Sequence, residues 1–353
     1  MKVAICGDVH WSTNSSIIRQ RGEKYSERLE NLIKSVNWFE NLSKEHNCDA
    51  NIYLGDFFDR PDLNSQEISA LSEIKWNNNQ KYFVVGNHET NLSSLDYSSS
   101  KVFNIFNSID GNVEIVDTCW SLPINDRLEF IYIPYTLLNK RVPITDFYFE
   151  NDSYKKIIFS HNDLAGVQQG KFITTTGIDV NSINNDNTCL LFINGHLHNG
   201  WVKDKIILPG NLTGQNFNED ALKFKHLVYI LEITDTAISY ESFENPYAFK
   251  FYKLNITSKD DFKKLNCLNR DSIVSIACSK QYQEEIEKQL AELCVNKYKI
   301  YIIYEENKNN ISNNGEYKFK VGNHIKQFIE YAEKNLTLSE ELTYELSKLG
   351  EAG

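Results

Sequence analysis

Short apolar runs alternate with polar clusters along the first two-thirds of the chain, and many of the runs end at Gly, Asp, Asn or His. Lys2–Cys6 is apolar and stops at Gly7-Asp8, the pattern of a buried strand. Between residues 23 and 44, Leu29, Leu32, Ile33, Val36, Phe39 and Leu42 recur at helical spacing and predict an amphipathic helix. Residues 51–54 form a second apolar run, stopping at Gly55-Asp56. A polar helical stretch, 65–75, follows. Residues 82–85 form a third run, stopping at Gly86-Asn87-His88. Strand, polar loop, helix, strand is βαβ logic and predicts helices packed on a sheet.

Further strands are predicted at Val113–Val116, 130–133, 156–159 and 190–193. Ile206–Leu208, 226–233, 237–243 and 248–254 read as later strands of a more antiparallel sheet. A polar shift at 255–269 marks a boundary. Beyond it, Ser272–Ser279, a helix over 281–293 and a strand over 299–304 form a compact α/β unit. After a polar connection, Ile325, Phe328, Ile329, Ala332 and Leu336 make one apolar stripe, and Leu342, Tyr344, Leu346 and Leu349 a shorter one. The expected division is 1–254, 255–322 and 323–353.

At 353 residues with 41% hydrophobic side chains, the chain has the apolar surface for a sizeable core, which excludes wholesale disorder. No stretch reaches 18 consecutive apolar residues, so no membrane span is expected. The start lacks the ordered features of a secretory leader. The expected compartment is the cytoplasm. Seven cysteines without a Cys-x-x-Cys pair suit buried thiols rather than a zinc or disulfide framework. A net charge of −11 argues against nucleic-acid binding through overall positive charge. It leaves room for a nucleic-acid enzyme whose site is filled by cations.

The chemistry sits at the strand ends. Asp8 and His10 follow the first strand. Asp56 and Asp59, then Arg60, follow the second. Asn87, His88 and Glu89 follow the third. His161 follows a later strand, and His196 and His198 another, so five of eight histidines lie in these clusters. Carboxylate, imidazole and amide ligands without thiolate suit borderline to hard divalent ions. Two such ions about 3.5–4 Å apart can clamp the attacking and leaving oxygens of a phosphoryl displacement. Loops at strand carboxyl ends converge on one crevice, so residues distant in sequence can meet there.

The order Asp-x-His, Gly-Asp-x-x-Asp, Gly-Asn-His, His, Gly-His-x-His resembles the calcineurin-like metallophosphoesterase superfamily over residues 1–250. The resemblance implies an α/β fold with α+β character: a two-sheet metallophosphoesterase sandwich flanked by helices. It implies one ion on Asp8, His10, Asp56 and His198 and another on Asp56, Asn87, His161 and His196, with Asp56 as the bridge. His88 would face the phosphate, stabilising the transition state or protonating the leaving oxygen, and water activated by the ions would attack. Asp59 is read either as orienting a ligand or as capping a turn, and Arg60 as contacting phosphate or facing solvent.

Within the superfamily, Gly55-Asp56-Phe57-Phe58-Asp59 resembles the SbcD-type nuclease subunit of double-strand-break repair, and the compact length is similar to the phage recombination form. That resemblance implies a manganese-type two-metal DNA exo- and endonuclease, magnesium or other divalent ions being alternatives. It also implies a small βαβ-type cap, a C-terminal helical tail that docks on an SbcC-type ATPase, and a homodimer through residues 23–44 or 65–75. Lys253, Lys259, Lys263, Lys264, Arg270 and Lys280 could then touch the DNA backbone. Trp11-Ser12 stand where that family has Leu-Gly, and Glu89 where it has Asp. Gly-Asn-His-Glu and Asp-Arg are habits of Ser/Thr protein phosphatases, so a phosphatase of phosphoproteins or small phosphomonoesters is the alternative.

Overall fold

Alternate residues of the apolar runs face different layers. In β1 (Lys2–Cys6), Val3 and Ile5 enter one core while Ala4 and Cys6 enter another. Both faces are covered, which is why the run reads as continuously apolar. The structure, a computed structural model, describes residues 1–303 except 19–20, 91–96, 106–112, 150–153, 170–171, 235–236 and 296.

Two six-stranded sheets form the body. The first runs Ile238–Glu244, Leu227–Ile233, β1, β2 (Ala50–Tyr53), β3 (Gln80–Val84) and β4 (Val113–Val116). The β1 to β4 pairings are parallel, whereas Leu227–Ile233 joins β1 antiparallel. The second runs Trp201–Lys203, Ile206–Leu208, Cys189–Asn194, Lys155–Ser160, Leu128–Ile133 and Trp120–Asn125. Val3, Ile5, Ile52 and Val84 of the first sheet share a core with Phe130, Tyr132, Phe159 and Ile193 of the second. This is an α/β sandwich with helices on its flanks, as the resemblance implied.

The later strands do not make a sheet of their own. Ile206–Leu208 runs parallel to Cys189–Asn194 in the second sheet, while the hairpin of Leu227–Ile233 and Ile238–Glu244 extends the first. Strand spacing alone carries no information about which edge a strand joins.

α1 (Glu27–Glu45) starts later than the expected residue 23, because Ser26 caps it by accepting from the Leu29 N–H at 3.3 Å. Its buried stripe of Leu29, Leu32, Val36 and Phe39 covers the outer face of the first sheet. α2 (Ser65–Leu71) carries a reciprocal cap between Asn64 and Glu67 and ends short of residue 75.

Lys250–Ile256, Ser272–Ser279 and Lys297–Ile303 form a third, all-parallel sheet. The 3-10 segment Lys259–Cys267 and the helix Gln283–Glu292 make its crossovers. Leu254, Val274, Ile276, Ile286 and Leu290 give it a core. The division expected between 254 and 255 therefore cuts through a strand: Lys250–Ile256 pairs with the cap along its whole length. The expected polar connection over 305–316 and the helical tail over 323–353 lie outside the described residues. Among those described, no helix is long and apolar enough to cross a membrane.

Candidate metal centre

The loops after β1 and β2 are stitched together by backbone. The Val9 and His10 N–H groups both donate to the Asp56 carbonyl, at 3.1 and 2.9 Å. His10, Asp56 and His196 hold φ values of 50°, 46° and 68°. Left-handed backbone at non-glycine residues is costly and gathers at functional sites. A Cβ on Gly55 would strike the His161 ring, and one on Gly86 the Asp56 carboxylate and backbone. Both glycines are needed so that their neighbours can approach.

The sequence-predicted ligands meet in one place. Asp8, His10 and His198 offer atoms within 4.8 Å of one another, as do Asp56, His161 and His196, and as do His10, Asp56 and His88. Asn87 joins the second group: its Oδ1 lies 3.1 Å from His161 Nε2 and 2.9 Å from His196 Nδ1.

Each imidazole is oriented by a partner on its other nitrogen. His10 Nδ1 donates to Asp59 Oδ1 at 3.0 Å. His198 Nδ1 faces Glu219 Oε1 at 3.3 Å. His161 Nδ1 donates to the Leu54 carbonyl at 2.6 Å, and His196 Nε2 to Asp163 Oδ1 at 3.0 Å. Such partners set the tautomer and raise the basicity of the nitrogen that faces a metal. The nitrogens left over point at other candidate ligands: His10 Nε2 and His198 Nε2 are 3.2 Å apart.

These residues fit divalent ions. Ligands about 2.1 Å from one octahedral ion and at right angles to each other lie about 3 Å apart, and the separations above match. Asp8 Oδ1 accepts from the His196 N–H at 3.0 Å, but its buried Oδ2 has no hydrogen-bond partner. That oxygen lies 3.8 Å from His198 Nε2 and 4.0 Å from His10 Nε2. A buried, unpartnered carboxylate oxygen beside two imidazole nitrogens is a cation's first coordination sphere by chemistry.

The electrostatics agree. Burial works against charge on His161, but Asp56, 3.1 Å away, raises its pKa to about 9. Burial pushes Asp56 up, yet facing His161 holds it well below the usual carboxylate range. For His198, burial is outweighed by Glu219 and Asp8, and the pKa rises.

His88 differs from the rest. Its side chain is 42% exposed, its N–H donates to Asp56 Oδ1 at 2.8 Å, and its Nδ1 lies 3.1 Å from the Asp59 carbonyl. It is held at the open side of the cluster.

Asp59 faces His10 Nδ1, the contact that the orienting reading of that residue requires. Arg60 is half-buried: its guanidinium donates to both Glu67 oxygens, at 2.9 and 2.8 Å, and to the Asp62 carbonyl. Glu89 is buried and accepts from the Gly86 and Phe58 N–H groups and the Ser100 hydroxyl. Burial and the nearby Asp56 charge push its pKa up to about 7. It clips two motif loops together. Lys264, expected near DNA, is paired with Asp261 at 2.7 Å.

Asp163, Glu219 and Arg28 were missed. Asp163 stands two residues after His161, a signal that could have been used. Glu219 sits in the polar run 215–220 with nothing to mark it. Arg28 lies within the helical stripe, buried, and donates to the His10 carbonyl at 3.2 Å. Burial lowers its pKa, with Asp59 and Glu219 opposing.

The family model for calcineurin-like phosphoesterases matches residues 1–200. The chain belongs to that family. It is therefore a metal-dependent hydrolase of phosphoester bonds, and the Asp and His clusters accord with the two divalent ions typical of calcineurin-like phosphoesterases. No curated protein sequence matches it. Among solved structures it is similar to a dimetal phosphatase from Danio rerio, at 12% identity and a TM-score of 0.43, over 69% of this chain and 96% of that one. It is also similar to the TT1561 protein of Thermus thermophilus, at 10% identity and a TM-score of 0.41, over 69% of this chain and 98% of that one.

Proposed function

We propose that this phosphoesterase is the nuclease subunit of a DNA repair or recombination machine, cleaving phosphodiester bonds with manganese and working with an SbcC-type ATPase. The observation that carries the reading is how the third sheet is attached. Glu219, which orients His198, is followed by Asp220 and Ala221, and these bridge to Phe251 in the cap strand Lys250–Ile256. One short loop thus links a metal-centre histidine to an extra α/β unit. An extra α/β unit tied to a metal-centre loop suits a substrate longer than a phosphomonoester.

In this reading Asp8, His10, Asp56 and His198 hold one ion, and Asp56, Asn87, His161 and His196 the other, with Asp56 shared. When bound, the ions supply an activated water and charge neutralisation at the phosphate. The protein residues do the rest. Asp59, Glu219, Asp163 and the Leu54 carbonyl keep the ligand imidazoles in register. His88 donates a proton or hydrogen bond to the leaving oxygen.

The test is hydrolysis of an end-labelled DNA duplex beside a chromogenic phosphomonoester, with manganese. Shortened DNA and little monoester turnover supports the nuclease. Fast monoester turnover with intact DNA overturns it in favour of a phosphatase. Co-purification with a coiled-coil ATPase, lost on deleting residues 323–353, tests the partner.

A further inference from the structure

A cleft of about 650 Å³ lies along the outer side of α1. It is remote from the metal centre. Arg28, in the first turn of α1, reaches the His10 carbonyl, whereas the cleft begins at Lys34 and ends at Lys44. Those ten residues span about 15 Å of helix. The far wall is Lys75 to Asn77, which leads into β3 at the end opposite Gly86.

Lys34, Lys44 and Lys75 line the cleft together with Trp38, Trp76 and Tyr247. All three lysines are exposed, and among the described residues none has an ion-pair partner. The nearby carboxylates are engaged elsewhere. Glu73 pairs with Lys24, and Glu45 accepts from the Asn41 amide. Glu40, at the floor, is buried and accepts from the Tyr53 hydroxyl, the Asn51 amide and the Asn77 N–H, with Lys81 Nζ 3.8 Å away. Three unneutralised cations along one cleft stand out on a chain of net charge −11.

We propose that this cleft binds single-stranded polynucleotide as a track separate from the metal centre. Lys34, Lys44 and Lys75 meet the phosphates, and Trp38 and Tyr247 offer ring surface to the bases, Trp76 being packed against Tyr53, Phe57, Phe83 and Phe103 beneath them. A cationic groove interleaved with aromatic side chains is how strands are held without sequence preference. An acidic peptide would use the lysines but leave the rings idle. The inference rests on the nuclease reading and deepens it: a strand held here stays on the enzyme between cleavage events.

The experiment measures binding of a labelled phosphorothioate oligothymidylate, which resists hydrolysis, over a range of salt concentrations. The proteins are the full chain, the Lys34→Gln/Lys44→Gln/Lys75→Gln variant and the corresponding triple Lys→Arg variant. Each phosphate contact contributes about 0.7 to the slope of log affinity against log salt, so the Gln variant is expected to lose about 2 from that slope. The Arg variant keeps it, and hydrolysis of a small chromogenic phosphodiester is unchanged in both. Equal slopes for the full chain and the Gln variant overturn the inference. So does an oligoglutamate that competes as well as the oligothymidylate, which would assign the cleft to an acidic protein. If the full chain degrades DNA while the slopes are equal, the inference alone falls. If it spares DNA, turns over monoesters and does not bind the probe, the nuclease reading falls with it.

Discussion

His10 and His198, 188 residues apart in the chain, turn their Nε2 atoms toward each other at 3.2 Å while each Nδ1 faces a carboxylate. These two nitrogens and the unpartnered Asp8 Oδ2 would hold a divalent ion.

Metal binding should therefore stabilise the fold. At an ion concentration one hundred times the dissociation constant, a single site adds about 2.7 kcal/mol. Thermal melts with added manganese should shift upward and return on chelation, and Asp8→Ala should remove most of the shift. A melt indifferent to manganese would contradict the ligand assignment.

The carboxylates behind the imidazoles should tune affinity without touching an ion. Asp59→Asn and Glu219→Gln keep the shape but remove the charge facing His10 and His198. Loss of such a partner costs about 10- to 100-fold in metal affinity. Calorimetric titration of manganese checks this, with activity restored at saturating metal.

His88→Asn should separate chemistry from metal binding. The side chain is exposed, and its ring hydrogen-bonds to the Asp59 carbonyl, so stability and metal content should stay unchanged. Hydrolysis should fall by about 100- to 10,000-fold, the usual contribution of a positioned proton donor. Unchanged rates would remove His88 from the mechanism.

Arg60 should matter for stability and not for substrate. Its partner Glu67 is fully buried and also accepts from the Thr13 and Asn64 N–H groups. Arg60 is itself about one-third exposed, so water screens part of the pair. Arg60→Ala should cost about 2 kcal/mol, the scale of a hydrogen bond to a charged group. Denaturant unfolding measures that cost. A raised KM for DNA with unchanged stability would return Arg60 to the phosphate.

Much of this protein was legible before folding, because the information is local. β1 and its Gly7-Asp8 stop, the stripe from Leu29 to Leu42, and the Gly55-Asp56 and Gly86-Asn87-His88 clusters each lie within a few residues of one another. An apolar run followed by a polar ligand is a short-range signal, and its repetition in a set order pointed to the family. The strand Ser272–Ser279 was likewise readable from its own residues.

What lay beyond the sequence is what depends on contacts between distant segments. Nothing near Glu219 marks it as the partner of His198, 21 positions earlier. Arg28 is one more residue of an amphipathic helix until α1 docks and brings its guanidinium under His10. Arg60 has an exposed side and a buried one, and only the packing of α2 shows which Glu67 takes. The sheet to which Ile206–Leu208 belongs, and the unit to which Lys250–Ile256 belongs, were open for the same reason: strands advertise burial but not neighbours. The sequence by itself determined which residues could carry the chemistry. The tertiary structure decided which nitrogen of each histidine faces the centre, because that choice is made by a hydrogen bond from across the fold.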